Sequence, residues 1–181
     1  EDKNKIVSYS DEDVEEDEEL IALKKAYASH SVLDLDDSLA ILLNATTDEQ
    51  LVESLDSLTE HSHNLKDGVL ITEPEYFKKL MKIIESERTS LKEPSLRVIA
   101  QSLRHNKKAL GNVDIDIVLP RFLQLLARET NSVLQKRILG AISSLVQTQE
   151  GSQKFNTIDG QSVLLDQFKH LKEDSKVRSL Q

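Results

Sequence analysis

Four apolar residues recur as a block. Leu96, Ile99, Ala100 and Leu103 are matched 42 positions later by Ile138, Ala141, Ile142 and Leu145. Leu80 and Phe122 are also 42 residues apart. Within each block the steps are three, one and three, which keeps all four side chains on one side of a helix turning about 100° per residue. Asp48–Leu65 fits as an earlier copy at a spacing of 41 or 42. Lys172-Glu173-Asp174-Ser175 echoes Lys92-Glu93-Pro94-Ser95, as if a fourth copy begins there. One unit of this size cannot hide its own apolar face, so neighbouring copies must stack to bury it. A fourth copy cut short at Gln181 would leave such a face open, so the polypeptide is expected to continue.

A period near 42 with two or three helices per unit is the sequence signature of armadillo and HEAT arrays. Composition agrees with helices. The chain of 181 residues has 5 Gly and 3 Pro, too few for the many turns of a β-sandwich, a barrel or a Gly-rich nucleotide fold. The expected fold is therefore all-α: an armadillo-like, right-handed superhelical solenoid of three-helix repeats.

The expected organisation has three parts. Residues 1–19 carry the run Asp11–Glu19, with Val14 as its one apolar residue, and read as an acidic, disordered tail. Residues 20–47 hold two helical stripes, Leu20, Leu23, Ala26 and Tyr27, then Leu35, Leu39, Leu42 and Leu43, expected to pack on the first repeat. Residues 48–181 are the repeats. Thr47 or Asp48 caps a helix carrying Leu51, Leu55, Leu58 and Ser62, and Gly68 ends it. Pro74 and Pro94 each open a helix, Pro120 sits in a first turn, and Gly151 marks a turn.

Chemistry is hard to find in this chain. There is no P-loop, G-x-G-x-x-G, G-x-S-x-G or H-E-x-x-H. The absence of Cys removes disulfides, zinc thiolates and a thiol nucleophile. His61 and His63 are two apart and diverge on a helix, so they make a poor metal pair. Asp34, Asp36 and Asp37 resemble the start of a calcium loop. Leu39 and Ala45 occupy the places of its Gly and Glu, so the cluster reads as a helix start. We read the chain as a non-enzyme needing no cofactor. A net charge of −9 makes nucleic acid an unsuitable partner, and no apolar run is long enough to span a membrane. Asn44-Ala45-Thr46 is an N-glycosylation sequon.

The informative polar residues cluster where the long helices end: Ser62-His63-Asn64, Arg104-His105-Asn106 and Val146-Gln147-Thr148. In an armadillo stack these helices line up as a concave face, with equivalent residues about 10 Å apart. His63, Asn64, Arg104, His105, Asn106 and Gln147 are the candidate contact residues. Asn106 is expected both to finish its own helix and to touch the partner. Glu53, Asp56 and Glu60 on one unit and Lys92, Arg97 and Arg104 on the next give mixed charge, which suits a folded protein partner. A generic armadillo adaptor is the alternative reading, though its peptide-binding form relies on Trp-Asn ladders and Trp is absent.

Leu51–Ile71, with Ser62-His63-Asn64-Leu65, resembles the first armadillo repeat of the ER-lumenal nucleotide exchange factors for the chaperone BiP, especially the fungal Sil-type members. Asn64 stands here in place of that family's Asp. Ser95–Ala109 resembles the next repeat, and Ala141–Leu165 resembles both this family and its cytosolic cousins. The resemblance covers residues 48–181. The family's Gly-Gly pairs and its C-terminal retention tetrapeptide are missing. The resemblance implies a monomer binding one to one to the ATPase domain of BiP, an Hsp70-class chaperone, and promoting ADP release in support of folding and translocation. The acidic N-terminal extension, the Ser-His stretch and the sequon favour the ER lumen over the cytoplasm.

Overall fold

The computed structural model describes residues 32–167 and residue 169. The acidic segment, the Leu20–Tyr27 stripe, Phe168 and the 172–175 echo lie outside the described residues. Those described are helical, with no strand among them. The helices are α1 (Leu35–Asn44), α2 (Asp48–His61), α3 (Leu65–Ile71), α4 (Pro74–Glu85), α5 (Thr89–Leu103), α6 (Lys107–Gly111), α7 (Ile115–Arg128), α8 (Ser132–Val146), α9 (Gln149–Thr157) and α10 (160–167).

After α1 the order of a long helix, a short helix and a longer one runs twice, and α8, α9 and α10 follow in the same succession. Caps set these boundaries. The Thr47 hydroxyl accepts from the Gln50 amide while the Gln50 side chain reaches back, a reciprocal box that starts α2. Asn64, Asn106 and Thr148 cap the short helices α3, α6 and α9, and they stand 42 residues apart. The period is thus set by where each short helix starts.

Long helices α2, α5 and α8 pack side by side in chain order, and α4 and α7 pack behind α5 and α8. The core follows the repeat. Leu96, Ile99, Leu103, Ile138, Ala141, Ile142 and Leu145 are buried, as are Leu80 and Phe122. Truncating one of these side chains would cost about 2–5 kcal/mol.

Several boundaries differ from the sequence reading. Pro94 does not open α5, nor does Pro120 sit in the first turn of α7. Each lies inside its helix, at the sixth residue. Buried Leu91 in one case, and Ile115 and Val118 in the other, extend the helix a turn upstream. Core burial thereby outweighs the hydrogen bond that proline cannot make. Ile117, between Ile115 and Val118 on α7, is exposed.

Gly68 does not end α2. It is buried inside α3, where a Cβ would lie 3.0 Å from Asn106 Nδ2 and 3.2 Å from the Ser102 carbonyl. Gly151 is likewise a first-turn residue of α9, where a Cβ would overlap the Leu145 carbonyl. Both glycines serve close approach rather than turning.

Candidate functional site

The three polar clusters become the joints between each long helix and the short helix after it. In the first, the Ser62 backbone N–H closes α2 on the Leu58 carbonyl, and the Ser62 hydroxyl meets the Gln101 side-chain amide of α5 at 2.7 Å. His63 is exposed. The exposed Asn64 side chain accepts from the Lys66 amide at 2.8 Å.

In the second joint Arg104 ends α5 with an exposed side chain. His105 follows in the left-handed region, at φ 55°. A non-glycine residue there is uncommon, and such outliers concentrate at functional positions. In the third joint Gln147 is exposed at the end of α8, and Thr148 caps α9 by accepting from the Gly151 amide at 2.9 Å. His63, His105 and Gln147 therefore occupy equivalent exposed places at the ends of neighbouring helices, and Arg104 is exposed beside His105, at the place that buried Ser62 and half-buried Val146 hold in the other two units.

Asn106 corrects the sequence reading. It is 5% exposed, and both ends of its amide are used within the protein. Oδ1 accepts from the Ala109 N–H at 3.2 Å, and Nδ2 donates to the Leu65 carbonyl at 2.9 Å, 41 residues away. It fastens the second joint to the first from a buried position. A capping asparagine looks the same in sequence whether it faces water or a neighbouring repeat.

Upstream of the joints each long helix has a charged row, exposed on α2 and half-buried on α5 as far as Arg104, and its sign changes between them. On α2 it carries Glu53, Asp56 and Glu60. On α5 it passes through Glu93, Arg97, Gln101 and Arg104, four-, four- and three-residue steps that hold one helix face. Glu93 joins α5 to α8. Its carboxylate accepts from Arg97 Nε (3.2 Å) and Nη2 (2.7 Å) and from Arg137 Nε (2.9 Å). Burial works against the Glu93 charge, but the hydrogen bonds and positive charges of Arg97 and Arg137 outweigh it and hold its pKa below the ordinary 4.5. Beside this bridge Gly140 faces Ala100, so the two helices meet through small residues. Glu93–Arg97 is legible as an i, i+4 pair. Arg137, 44 residues on, becomes visible only once the repeat is aligned.

The two histidines separate because α2 ends at His61 and His63 lies in the turn after it, not because both sit on one helix. His63 is exposed, whereas His61 bonds through Nε2 to the Leu33 carbonyl (2.9 Å) and through Nδ1 to Asp67 (3.2 Å). Burial pulls its pKa down, but the Leu33 hydrogen bond, Asp67 and the charge of Asp34 outweigh that and raise it above 6.5. Asp34, Asp36 and Asp37 stand at the start of α1. Asn44 is exposed at its end, with Nδ2 donating to the Ala40 carbonyl. No metal-binding cluster and no helix long and apolar enough to cross a membrane occurs among the described residues.

Comparison with known proteins gives a consistent result. The family model described as "Nucleotide exchange factor SIL1" matches residues 30–181. The nucleotide exchange factor SIL1 of Candida albicans is 34% identical over 139 residues, covering 72% of this chain and 33% of that protein. The Hsp70 nucleotide exchange factor FES1 of Eremothecium gossypii is 26% identical over 151 residues, covering 80% of this chain and 52% of that one. The chain thus spans a third to a half of the length of these relatives. No solved structure matches it significantly. A family match that takes in every described joint, together with the stacked helical repeats, establishes that this chain belongs to the SIL1 nucleotide exchange factor family.

Proposed function

We propose that this protein is a co-chaperone that binds the ATPase domain of an Hsp70-class chaperone, BiP of the ER lumen, one to one, and promotes ADP release. The observation that carries the reading is the family match across residues 30–181, which coincides with the stacked repeats. The names of both relatives support it: each is a nucleotide exchange factor, and that of Eremothecium gossypii is one for Hsp70. The SIL1-type match and the sequon favour the ER lumen over the cytoplasm.

The mechanism needs no chemistry on a substrate. A row of long helices curving into a concave, right-handed superhelical surface grips one lobe of the ATPase domain. It binds the state in which the lobes have opened more tightly than the closed ADP-bound state. Only such a difference in affinity moves the equilibrium. ADP loses contacts shared between the lobes and leaves, and by reciprocity bound nucleotide weakens the co-chaperone's grip. His63, Asn64, Arg104, His105 and Gln147 are the proposed contacts, with Asn106 holding the joints that present them. Residues 48–181 form the repeat domain in this reading, 20–47 pack on its first repeat, and 1–19 form an acidic extension. Asn44, exposed at the end of α1, is the proposed glycan site.

Release of a fluorescent ADP analogue from BiP tests the proposal. The protein should accelerate release, and Arg104→Ala with His105→Ala should weaken that effect while helix content by circular dichroism stays intact. No acceleration by the intact protein would refute the reading.

A further inference from the structure

The Glu93 bridge holds together two half-buried arginines of the neighbouring long helices α5 and α8. Alone, adjacent guanidinium groups repel each other. Here one carboxylate sits between them, so Arg97, Glu93 and Arg137 carry a net single positive charge. Glu93 takes up Arg97 Nε and Nη2 and Arg137 Nε. Arg97 Nη1 and both Arg137 Nη atoms have no hydrogen-bond partner among the described residues. The two side chains are 35% and 38% exposed, so both stay open to solvent in part while Glu93 holds their Nε ends.

We propose that Arg97 and Arg137 form a receptor for one carboxylate, an aspartate or glutamate on the surface of the partner ATPase domain, and that Glu93 is its positioning residue. A planar guanidinium offers paired N–H donors that match the two oxygens of a carboxylate. Because Glu93 orders both arginines before binding, less side-chain freedom is lost on contact.

Charge on the long helices changes sign from α2 to α5 and α8. Glu53, Asp56 and Glu60 on α2 call for basic groups, while Arg97, Arg104 and Arg137 on α5 and α8 call for acidic ones. Docking in the reversed direction would set like charges against each other, so the receptor fixes orientation as well as adding contact. Its position spanning two repeats makes it a reader of their relative placement, which a site on one helix would not be.

This inference rests on the exchange-factor reading, and the test separates the two. Binding of the intact chain to the complete chaperone is measured by titration for the wild type, the Arg97→Lys/Arg137→Lys variant and Arg121→Lys. Lysine keeps the charge and loses the fork. Arg121, paired with Glu85 on α4, is the control. The double variant should bind about tenfold more weakly, with Arg121→Lys unchanged. Should the double variant unfold, Arg137→Lys alone gives the same readout at the more exposed side chain. Glu93→Gln should weaken binding less than the double variant does, because the arginines lose their shared anchor while the local positive charge doubles, and the binding that remains should depend more steeply on salt. If the wild type binds and the lysine variants bind equally well, the receptor is refuted while the exchange-factor reading stands. If the wild type fails to bind, both fall.

Discussion

Buried serines are used in opposite ways between α1 and α2 and on the central helix α5. Between α1 and α2 they are stitches. Ser38 Oγ lies 2.9 Å from Ser57 Oγ, Ser54 donates to the Ser38 carbonyl at 2.7 Å, and Ser57 donates to the Leu33 carbonyl at 3.0 Å. On α5, Ser95 and Ser102 are just as buried, yet neither hydroxyl has a hydrogen-bond partner. Their value there is small size. The backbone of Ser102 is what the missing Cβ of Gly68 would strike, so α3 approaches α5 as closely as two small residues allow. The first interface is specified by directional bonds and the second by shape and apolar burial. Serine's place in a core therefore has to be judged by its neighbours.

The largest blow to this contrast falls on the packed side. Leu103→Ala, at a fully buried residue of α5, should cost about 2–5 kcal/mol in denaturant unfolding. A loss no larger than a surface substitution gives would mean that α5 is not a packing centre. Gly68→Ala comes next. Its Cβ meets backbone as well as the Asn106 amide, and a loss of roughly 1–3 kcal/mol is expected, seen as a lower thermal midpoint.

On the stitched side, Ser57→Ala removes the bond to the Leu33 carbonyl and the contact with Ser38, whose hydroxyl keeps the Asp34 carbonyl, for about 1–2 kcal/mol. Ser102→Ala, by contrast, removes a hydroxyl that bonds to nothing and should be neutral or slightly stabilising. Equal losses for the two serines would erase the distinction between the interfaces.

The smallest effect is one of pH, and the two regions respond in opposite directions. The raised pKa of His61 gives the α1–α2 side stability that is fully present below 6.5 and is lost as pH rises through the folded value. The lowered pKa of Glu93 gives the α5–α8 side stability that is present above 4.5 and is lost as pH falls through its folded value. Thermal midpoints measured across pH should show His61→Gln flattening only the neutral limb and Glu93→Gln only the acid limb.

Much of the architecture is visible in the chain before any coordinate. The block from Leu96 to Leu103 and its copy from Ile138 to Leu145 identify α5 and α8 as equivalent, because helical spacing and burial coincide there. Thr47 and Pro74 mark helix starts through local bonding rules that need no distant partner. The prolines at 94 and 120 and the glycines at 68 and 151 read wrongly for one shared reason. Each is decided by what another helix places against it, and a one-dimensional pattern holds no record of that.

Among the candidate site residues, His63, Arg104, His105 and Gln147 are found where the repeat puts them, exposed at successive joints. Asn106 is drawn inward by the Leu65 carbonyl of the neighbouring unit. The amino-acid sequence alone determined that this protein is helical, repeats every 42 residues and marks each repeat with a polar joint, since caps and apolar periodicity act over a few residues. Only the tertiary structure decided which polar side chains remain outside and which arginines share Glu93, because burial and ion pairing depend on residues some forty positions away that stacking brings into contact.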